Sequence, residues 1–263
     1  MRRKEQMIKM KIYEIIFSPT GGTKKAADIV ADRFGSDIVL IDLTDRKLDF
    51  SSLSFEQEDI CIVAVPSYGG RIPQAAGERL REMRGNQARA IPITVYGNRA
   101  YDDTMLELND TLSEAEFCPV AAIAAVAEHS IMRRFAAGRP DAEDERELAG
   151  FGDQIRRGIQ DGSLTAVPTV PGNRPYRSFG GVPMKPRTGR SCTKCGICAE
   201  KCPVGAIPAD MPMSTDHEKC ITCMRCIAVC PQKNRSVSKV LVAAGAQKLK
   251  KACKERKRNE LMV

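Results

Sequence analysis

Eight of the chain's eleven cysteines fall between Cys192 and Cys230, in two copies of one pattern. SCTKCGICAEKCP supplies Cys192, Cys195, Cys198 and Cys202 ahead of Pro203; KCITCMRCIAVCP supplies Cys220, Cys223, Cys226 and Cys230 ahead of Pro231. Each cysteine of the second copy lies 28 residues after its counterpart, Cys220 after Cys192. In C-x2-C-x2-C-x3-C-P the closely spaced thiolates wrap one corner of a cuboidal iron–sulfur cluster, and the fourth, turned away by the proline, ligates the other cluster. Cys192, Cys195, Cys198 and Cys230 are therefore expected to hold one [4Fe–4S] cluster, and Cys220, Cys223, Cys226 and Cys202 the second. A zinc site would show C-x2-C pairs set further apart. A disulfide scaffold would spread its cysteines through a short chain.

The other cysteines carry less. Cys61 and Cys118 sit in apolar runs and read as small core residues. Cys253 lies among lysines and reads as a surface thiol whose pKa Lys251 and Lys254 would lower. The chain has 263 residues, enough for one large domain or two smaller ones, and 43% hydrophobic content, ample for a core. No apolar run is long enough to span a membrane. The basic start MRRKEQMIKM is followed by no small-residue cleavage site, so a cytoplasmic protein is expected.

Ahead of the cysteines the chain alternates. Lys11 to Phe17, Asp37 to Leu43, Asp59 to Pro66, Ala88 to Gly97 and Phe117 to Ala127 read as strands, several of them apolar almost throughout, as in a parallel sheet buried on both faces. Between them run helical patterns: Ala26, Ala27, Val30 and Phe34; Ala76, Leu80 and Met83 after Pro73; Met105, Leu106 and Leu112 after a cap at Asp102 or Asp103. Asp141 caps a last helix with Leu148, Phe151, Ile155 and Ile159 on one face. The alternation implies an α/β fold, a doubly wound five-stranded parallel sheet of flavodoxin-like order. Ligands of such sheets sit beyond the carboxyl ends of the strands. Strands one, three and four end in SPTGGT, PSYGGRIP and YGNRAYDD, all rich in Gly, hydroxyls and Tyr. SPTGGTKKA fits neither the ATP loop G-x-x-x-x-G-K-[ST] nor the dinucleotide loop G-x-G-x-x-G. It reads either as a phosphate cradle at a helix start or as an ordinary glycine turn with a threonine N-cap.

With both parts in view, the chain resembles the fusion proteins of anaerobic bacteria and archaea that join a flavodoxin-like domain to a two-cluster ferredoxin domain. SPTGGT, PSYGGRIP, YGNRAYDD, EHS followed by GRPD, VPGNRPY, the eight-cysteine run and KACKERKRNE carry the resemblance, which spans nearly the whole chain. It implies FMN as cofactor beside two [4Fe–4S] clusters. Ser18, Thr20, Gly21, Gly22 and Thr23 would cradle the phosphate. Tyr68 and Tyr101 would flank the isoalloxazine, and Gly69, Gly70, Gly97 and Asn98 would bring the backbone to its polar edge. Pro66, Ser67 and Asp102 belong to the same loops. Arg71 and Arg99 would stabilise an anionic reduced flavin or make surface ion pairs. After the second CP comes PQKNR instead of an apolar segment like PVGAI, which makes one face of that cluster more positive.

The expected organisation is a flavodoxin-like domain over 8–164, a Pro/Arg-rich linker over 165–190, a small α+β two-cluster ferredoxin domain over 191–236 and a basic helical tail over 237–263. The linker holds five prolines and five Lys or Arg with no acid. It is either a semi-rigid spacer or a segment that folds back, with Tyr176 and Arg177 at the flavin edge. The tail carries eight Lys or Arg against two Glu, with Val240, Leu241, Ala244, Leu249 and Ala252 on one apolar side. It has no aromatic residue to stack on bases and no DNA-binding motif, so nucleic acid is not an expected partner.

Clusters and a flavin together make an oxidoreductase that reduces a small-molecule acceptor, or an electron-transfer module serving a partner enzyme with no substrate of its own. No nicotinamide fingerprint is present, so a reduced ferredoxin or similar protein is the expected donor. His129 and His217 are the only histidines, and His129, just after the fifth strand, is the candidate proton donor.

Overall fold

The computed structural model describes residues 10–263. The basic start up to Lys9, which includes the first two positions of the expected 8–164 domain, lies outside the described residues. The apolar runs become strands and the amphipathic stretches helices, in the order β1 (Ile12–Ile16), α1 (Gly22–Ala31), β2 (Ile38–Asp42), β3 (Ile60–Pro66), α2 (Gln74–Glu82), β4 (Arg89–Tyr96) and α3 (Thr104–Glu114). The fifth run is split at Val120 and Ala121 into β5 (Cys118–Pro119) and β6 (Ala122–Val126), and α4 (Ala142–Gln160) follows. Asp141 caps α4 with a reciprocal capping box to Asp144. The strand order is β2-β1-β3-β4-β6, all parallel, with β5 beside β4. This is the flavodoxin-like order.

Successive residues of each strand face opposite layers. Ile15, Val63 and Val65 pack with Leu80 of α2 and Leu108 and Leu112 of α3. Ile16, Ile62 and Ile93 pack with Ala27 and Val30 of α1 and Leu148 and Ile155 of α4. Both faces are thus covered, which accounts for the unbroken apolarity of β3.

The cysteine-rich part is small: β7 (Arg187–Thr188) pairs antiparallel with β8 (Arg235–Ser236), and the short helices α5 (Ile197–Glu200) and α6 (Arg225–Ala228) begin within the two copies. The copies share their backbone as well as their spacing. Lys194 and Gly196 in the first, and Thr222 and Met224 in the second, all have left-handed φ between 54° and 78°.

The tail corrects its expectation. Helix α7 (Lys239–Leu249) is real, but it buries Ala246 and half-buries Val242 and Leu249, while Val240 and Leu241 face solvent. After it the chain crosses back, and β9 (Glu260–Met262) joins the sheet antiparallel to β6. The sheet therefore has an added edge strand drawn from the far end of the chain. Asn98 anchors this return: its Nδ2 donates to the Cys253 and Glu255 carbonyls at 3.1 and 2.8 Å, and its Oδ1 accepts from Lys257 N at 3.0 Å. Asn259 bridges the Val126 backbone N–H and the carboxylate of Asp144, itself paired with buried Arg139. Cys253 is buried in this arrangement and is no surface thiol; burial pushes its pKa up, against the lowering expected from its lysines.

Residues 165–190 are docked rather than free. Asn173 N and Arg177 N both donate to Asp103, at 2.9 and 2.7 Å, and Arg71 lies over the Tyr176 ring, 5.0 Å from its centroid.

Candidate functional site

Helix α1 starts with an unusual cap. Gly21 is the N-cap, in the left-handed region at φ 92°, and no side chain caps the helix, so the threonine-capped turn is not what forms. Ser18 Oγ instead accepts from Lys24 N at 2.9 Å. The Gly22 and Thr23 backbone N–H groups and the Thr20 and Thr23 hydroxyls have no partner among the described residues. They line a cavity of about 70 Å³ with Ser67, Tyr68, Gly97 and His129. A helix start with free donors is an anion site by construction.

That cavity continues into a larger one of about 390 Å³, with Tyr68, Gly97 and His129 common to both. Its walls come from every part of the chain: Gly69 and Arg99 from strand-end loops, Phe179 and Met184 from the docked segment, Leu249 from α7, and Ile221 and Thr222 from between Cys220 and Cys223. Its size falls within the range of small-molecule sites. Two glycines give it its shape. A Cβ on Gly97 would come within 2.7 Å of His129, and one on Gly69 within 2.1 Å of the Phe179 ring.

Several candidates point elsewhere. Arg71 is tied to buried Glu107 by two bonds of 2.7 Å and to the Arg177 carbonyl, so it makes the ion pair and does not face the cavity. Tyr101 donates to Glu260 of β9 at 2.7 Å, with its ring against Tyr96. Asn98 is committed to the tail. Gly70 packs against Asp102, which pairs with Arg99 and Arg177. Ser18 and Gly21 shape the first loop from behind, and Pro66 borders the smaller cavity. Phe179, Met132, Met184, Ile221 and Thr222 were missed. Only the VPGNRPYRSF stretch and the EHS segment hinted at any of this wall.

His129 lies at the centre. Its Nδ1 accepts from Ile131 N and Met132 N at 3.2 and 3.3 Å, which places the proton of the neutral ring on Nε2. Burial, the largest cause, lowers its pKa below the ordinary value, and nearby Arg99 adds to the effect. His217 is exposed and remote from this wall.

The cysteines form two groups. Cys192, Cys195, Cys198 and Cys230 line one cavity. Cys202, Cys220 and Cys226 surround Cys223, and burial raises the Cys223 thiol to about 12 and the Cys226 thiol to about 11. Burial of this kind disfavours bare thiolates, so thiolates there require metal. Among the described residues no group of three or more His, Cys, Asp or Glu is set to hold a metal ion. Sulfurs spread over a cavity wall suit a cluster, which has a body of its own. Backbone N–H groups of Lys194, Ala206 and Asn234 approach the sulfurs of Cys192, Cys202 and Cys230 at 3.3–3.4 Å. With the paired left-handed residues they form the N–H concavities that suit anionic iron–sulfur groups.

The two modules touch along the second group of cysteines. Arg79 of α2 donates to the Pro203 carbonyl at 2.6 Å, and Val204 and Ile221 pack on the flavodoxin-like core. Arg225 Nη1 reaches the Ser18 and Pro19 carbonyls at 3.2 and 3.4 Å. Tyr68 has its phenol close enough to Cys223 to feel it electrostatically.

Sheet order and cysteine geometry together define an electron-transfer architecture, a flavodoxin-like domain carrying a two-cluster ferredoxin module. In the comparison with known proteins, residues 191–234 match the 4Fe-4S dicluster domain. A stretch of 43 residues is 44% identical to one component of the ion-translocating oxidoreductase complex of Methanosarcina acetivorans, covering 16% of this chain and 16% of that protein. Among solved structures, a Streptococcus pneumonia TIGR4 flavodoxin is 22% identical with a TM-score of 0.40, covering 56% of this chain and 98% of that one. The rubredoxin oxygen:oxidoreductase of Desulfovibrio gigas is 15% identical with a TM-score of 0.40, covering 59% of this chain and 37% of that one. The strand order, not these likenesses, makes the first half flavodoxin-like. Among the described residues no helix is long and apolar enough to cross a membrane.

Proposed function

We propose that the chain is an iron–sulfur flavoprotein that exchanges electrons between its two [4Fe–4S] clusters and an FMN, and so reduces an acceptor. The observation that carries the reading is the shared wall: the cavity at the carboxyl ends of the strands is closed on its far side by Ile221 and Thr222, between two ligands of the second cluster. When bound, the clusters supply single electrons and the flavin a centre that accumulates two of them before passing on a pair.

The residues divide the work. Thr20, Gly22 and Thr23 offer hydroxyl and backbone donors to the phosphate. Tyr68, Gly97, Phe179 and the methionines enclose the ring and exclude water. His129 holds a proton on Nε2 facing this space, with its Nδ1 fixed by the Ile131 and Met132 amides. That favours reduction of a small-molecule acceptor over service to a partner alone. Cys202, Cys220, Cys223 and Cys226 hold the cluster nearer the flavin. Cys192, Cys195, Cys198 and Cys230 hold the outer one, where Cys195 is exposed and a donor protein such as a reduced ferredoxin docks.

Anaerobic protein assayed for acid-released flavin and iron is expected to give about one FMN and about eight irons per chain. Full iron with no flavin, even after FMN is added, would overturn the flavin reading and leave the cavity to another phosphate ligand.

A further inference from the structure

The PQKNR segment that closes the second cysteine copy buries an arginine. Arg235 is 3% exposed. Its Nη1 donates to Thr215 Oγ1 at 3.0 Å, and its Nη2 to the Pro212 and Ser214 carbonyls at 2.6 and 3.1 Å. These partners are neutral, and among the described residues no carboxylate pairs with it. Its Nε has no nitrogen or oxygen partner. The side chain also borders the second copy, where it lines a cavity with Met224 and Ile227, on either side of Cys226. It also lines the cavity of the outer group, among Cys192, Cys195, Cys198 and Cys230. A buried charge without a counter-charge is strongly unfavourable, and removing one partner of a buried pair is the costly case. Here the missing partner is not a carboxylate. Beyond its three oxygen acceptors, the side chain borders the cysteine loops of both groups.

We propose that Arg235 is a positioning residue, a single buried counter-ion shared by both clusters that raises the reduction potential of each. A cluster held by four thiolates is anionic, and its reduction adds one electron and one further negative charge. A fixed cation in a low-dielectric setting favours the reduced form. The β7–β8 ladder holds the arginine in place, with Thr188 directly opposite it. The role does not depend on what fills the flavodoxin-like cavity.

The test is an anaerobic redox titration of the full chain followed by EPR, with iron content measured alongside. Arg235→Gln keeps hydrogen bonding and removes the charge. It is expected to lower both potentials so that the oxidised-to-reduced ratio at fixed potential changes at least tenfold, about 59 mV for a one-electron couple. Arg235→Lys keeps the charge and is expected to stay close to the unaltered protein. Thr188→Asp sets a carboxylate beside the guanidinium and is expected to act like Arg235→Gln. Unchanged potentials in an iron-replete Arg235→Gln protein would overturn the proposal, and movement of one cluster alone would overturn the sharing. If Arg235→Gln loses iron, Thr188→Asp decides on the same criterion. If both lose iron, a tenfold or larger change of that ratio in Arg235→Lys, which retains the charge, overturns it.

Discussion

Arg225→Ala should weaken FMN binding although Arg225 does not itself line the phosphate pocket. The guanidinium belongs to the inner cluster's loop, yet its Nη1 holds the Ser18 and Pro19 carbonyls at 3.2 and 3.4 Å. A trans peptide points its C=O and N–H in opposite directions. Fixing the Pro19 carbonyl toward Arg225 therefore turns the Thr20 N–H away from Arg225. Thr20 lines the cavity. Hydrogen bonds to charged groups contribute about 1.5–3 kcal/mol, but both contacts lie at or beyond the long end of the normal range and share one donor. The Nε of the same side chain is buried without a partner, so its removal relieves one unsatisfied donor and offsets part of the loss. The net effect is roughly 1–2 kcal/mol, or about 5- to 30-fold in Kd. Fluorescence titration of FMN into cluster-loaded, flavin-depleted protein measures it, with iron content as the control for the second cluster. An unchanged Kd at full iron would show that the loop keeps its geometry without the other module.

The tail anchor and the central histidine give two further predictions. Arg139→Met leaves Asp144, which is fully buried, without its main counter-charge and should lower stability by about 3–5 kcal/mol in urea unfolding, with β9 the first element to lose amide protection. His129 has its pKa lowered in the folded state, so the unfolded chain takes up the proton first as pH falls. Stability is complete above the unfolded pKa of about 6.5 and declines as pH drops through it toward the folded value. His129→Gln should remove that part of the decline in Tm between pH 7.5 and 5 on the order of the single-proton slope, and an identical decline in the variant would refute the assignment.

Local chemistry settled much of this protein in one dimension. Cluster spacing is a matter of how far adjacent cysteines reach, so the duplicated pattern is legible by counting. The crossed pairing of Cys202 and Cys230 follows from the same spacing. The apolarity of β3 announced a sheet covered on both faces because every residue of a buried parallel strand needs an apolar neighbour. The loops at the strand ends were legible as a group, but their members were not. From their loops, Tyr101 reads as a flavin contact, Arg71 as a flavin contact or an ion pair, and Asn98 as a backbone contact. Their side chains are engaged by distant segments: Glu107 on α3 for Arg71, the returning backbone at 253–257 for Asn98, and Glu260 on β9 for Tyr101. A side chain's direction depends on which partner is nearest in space, and these partners are up to 159 residues away.

The tail shows the same limit in reverse. Its spacing reads as a helix, solvated or docked on a domain, with Val240 and Leu241 among the residues of its apolar side. Helical periodicity finds a face but not which neighbour covers it, and the sheet edge at β6, left open until β9 arrives, is invisible to periodicity altogether. Composition and spacing by themselves determined the cofactor class of one module and the strand order of the other. Only the tertiary structure decided that the two meet at a single cavity, lined by Thr222 of the cluster loop and by His129 just past β6, because that wall is assembled from contacts between residues no local pattern connects.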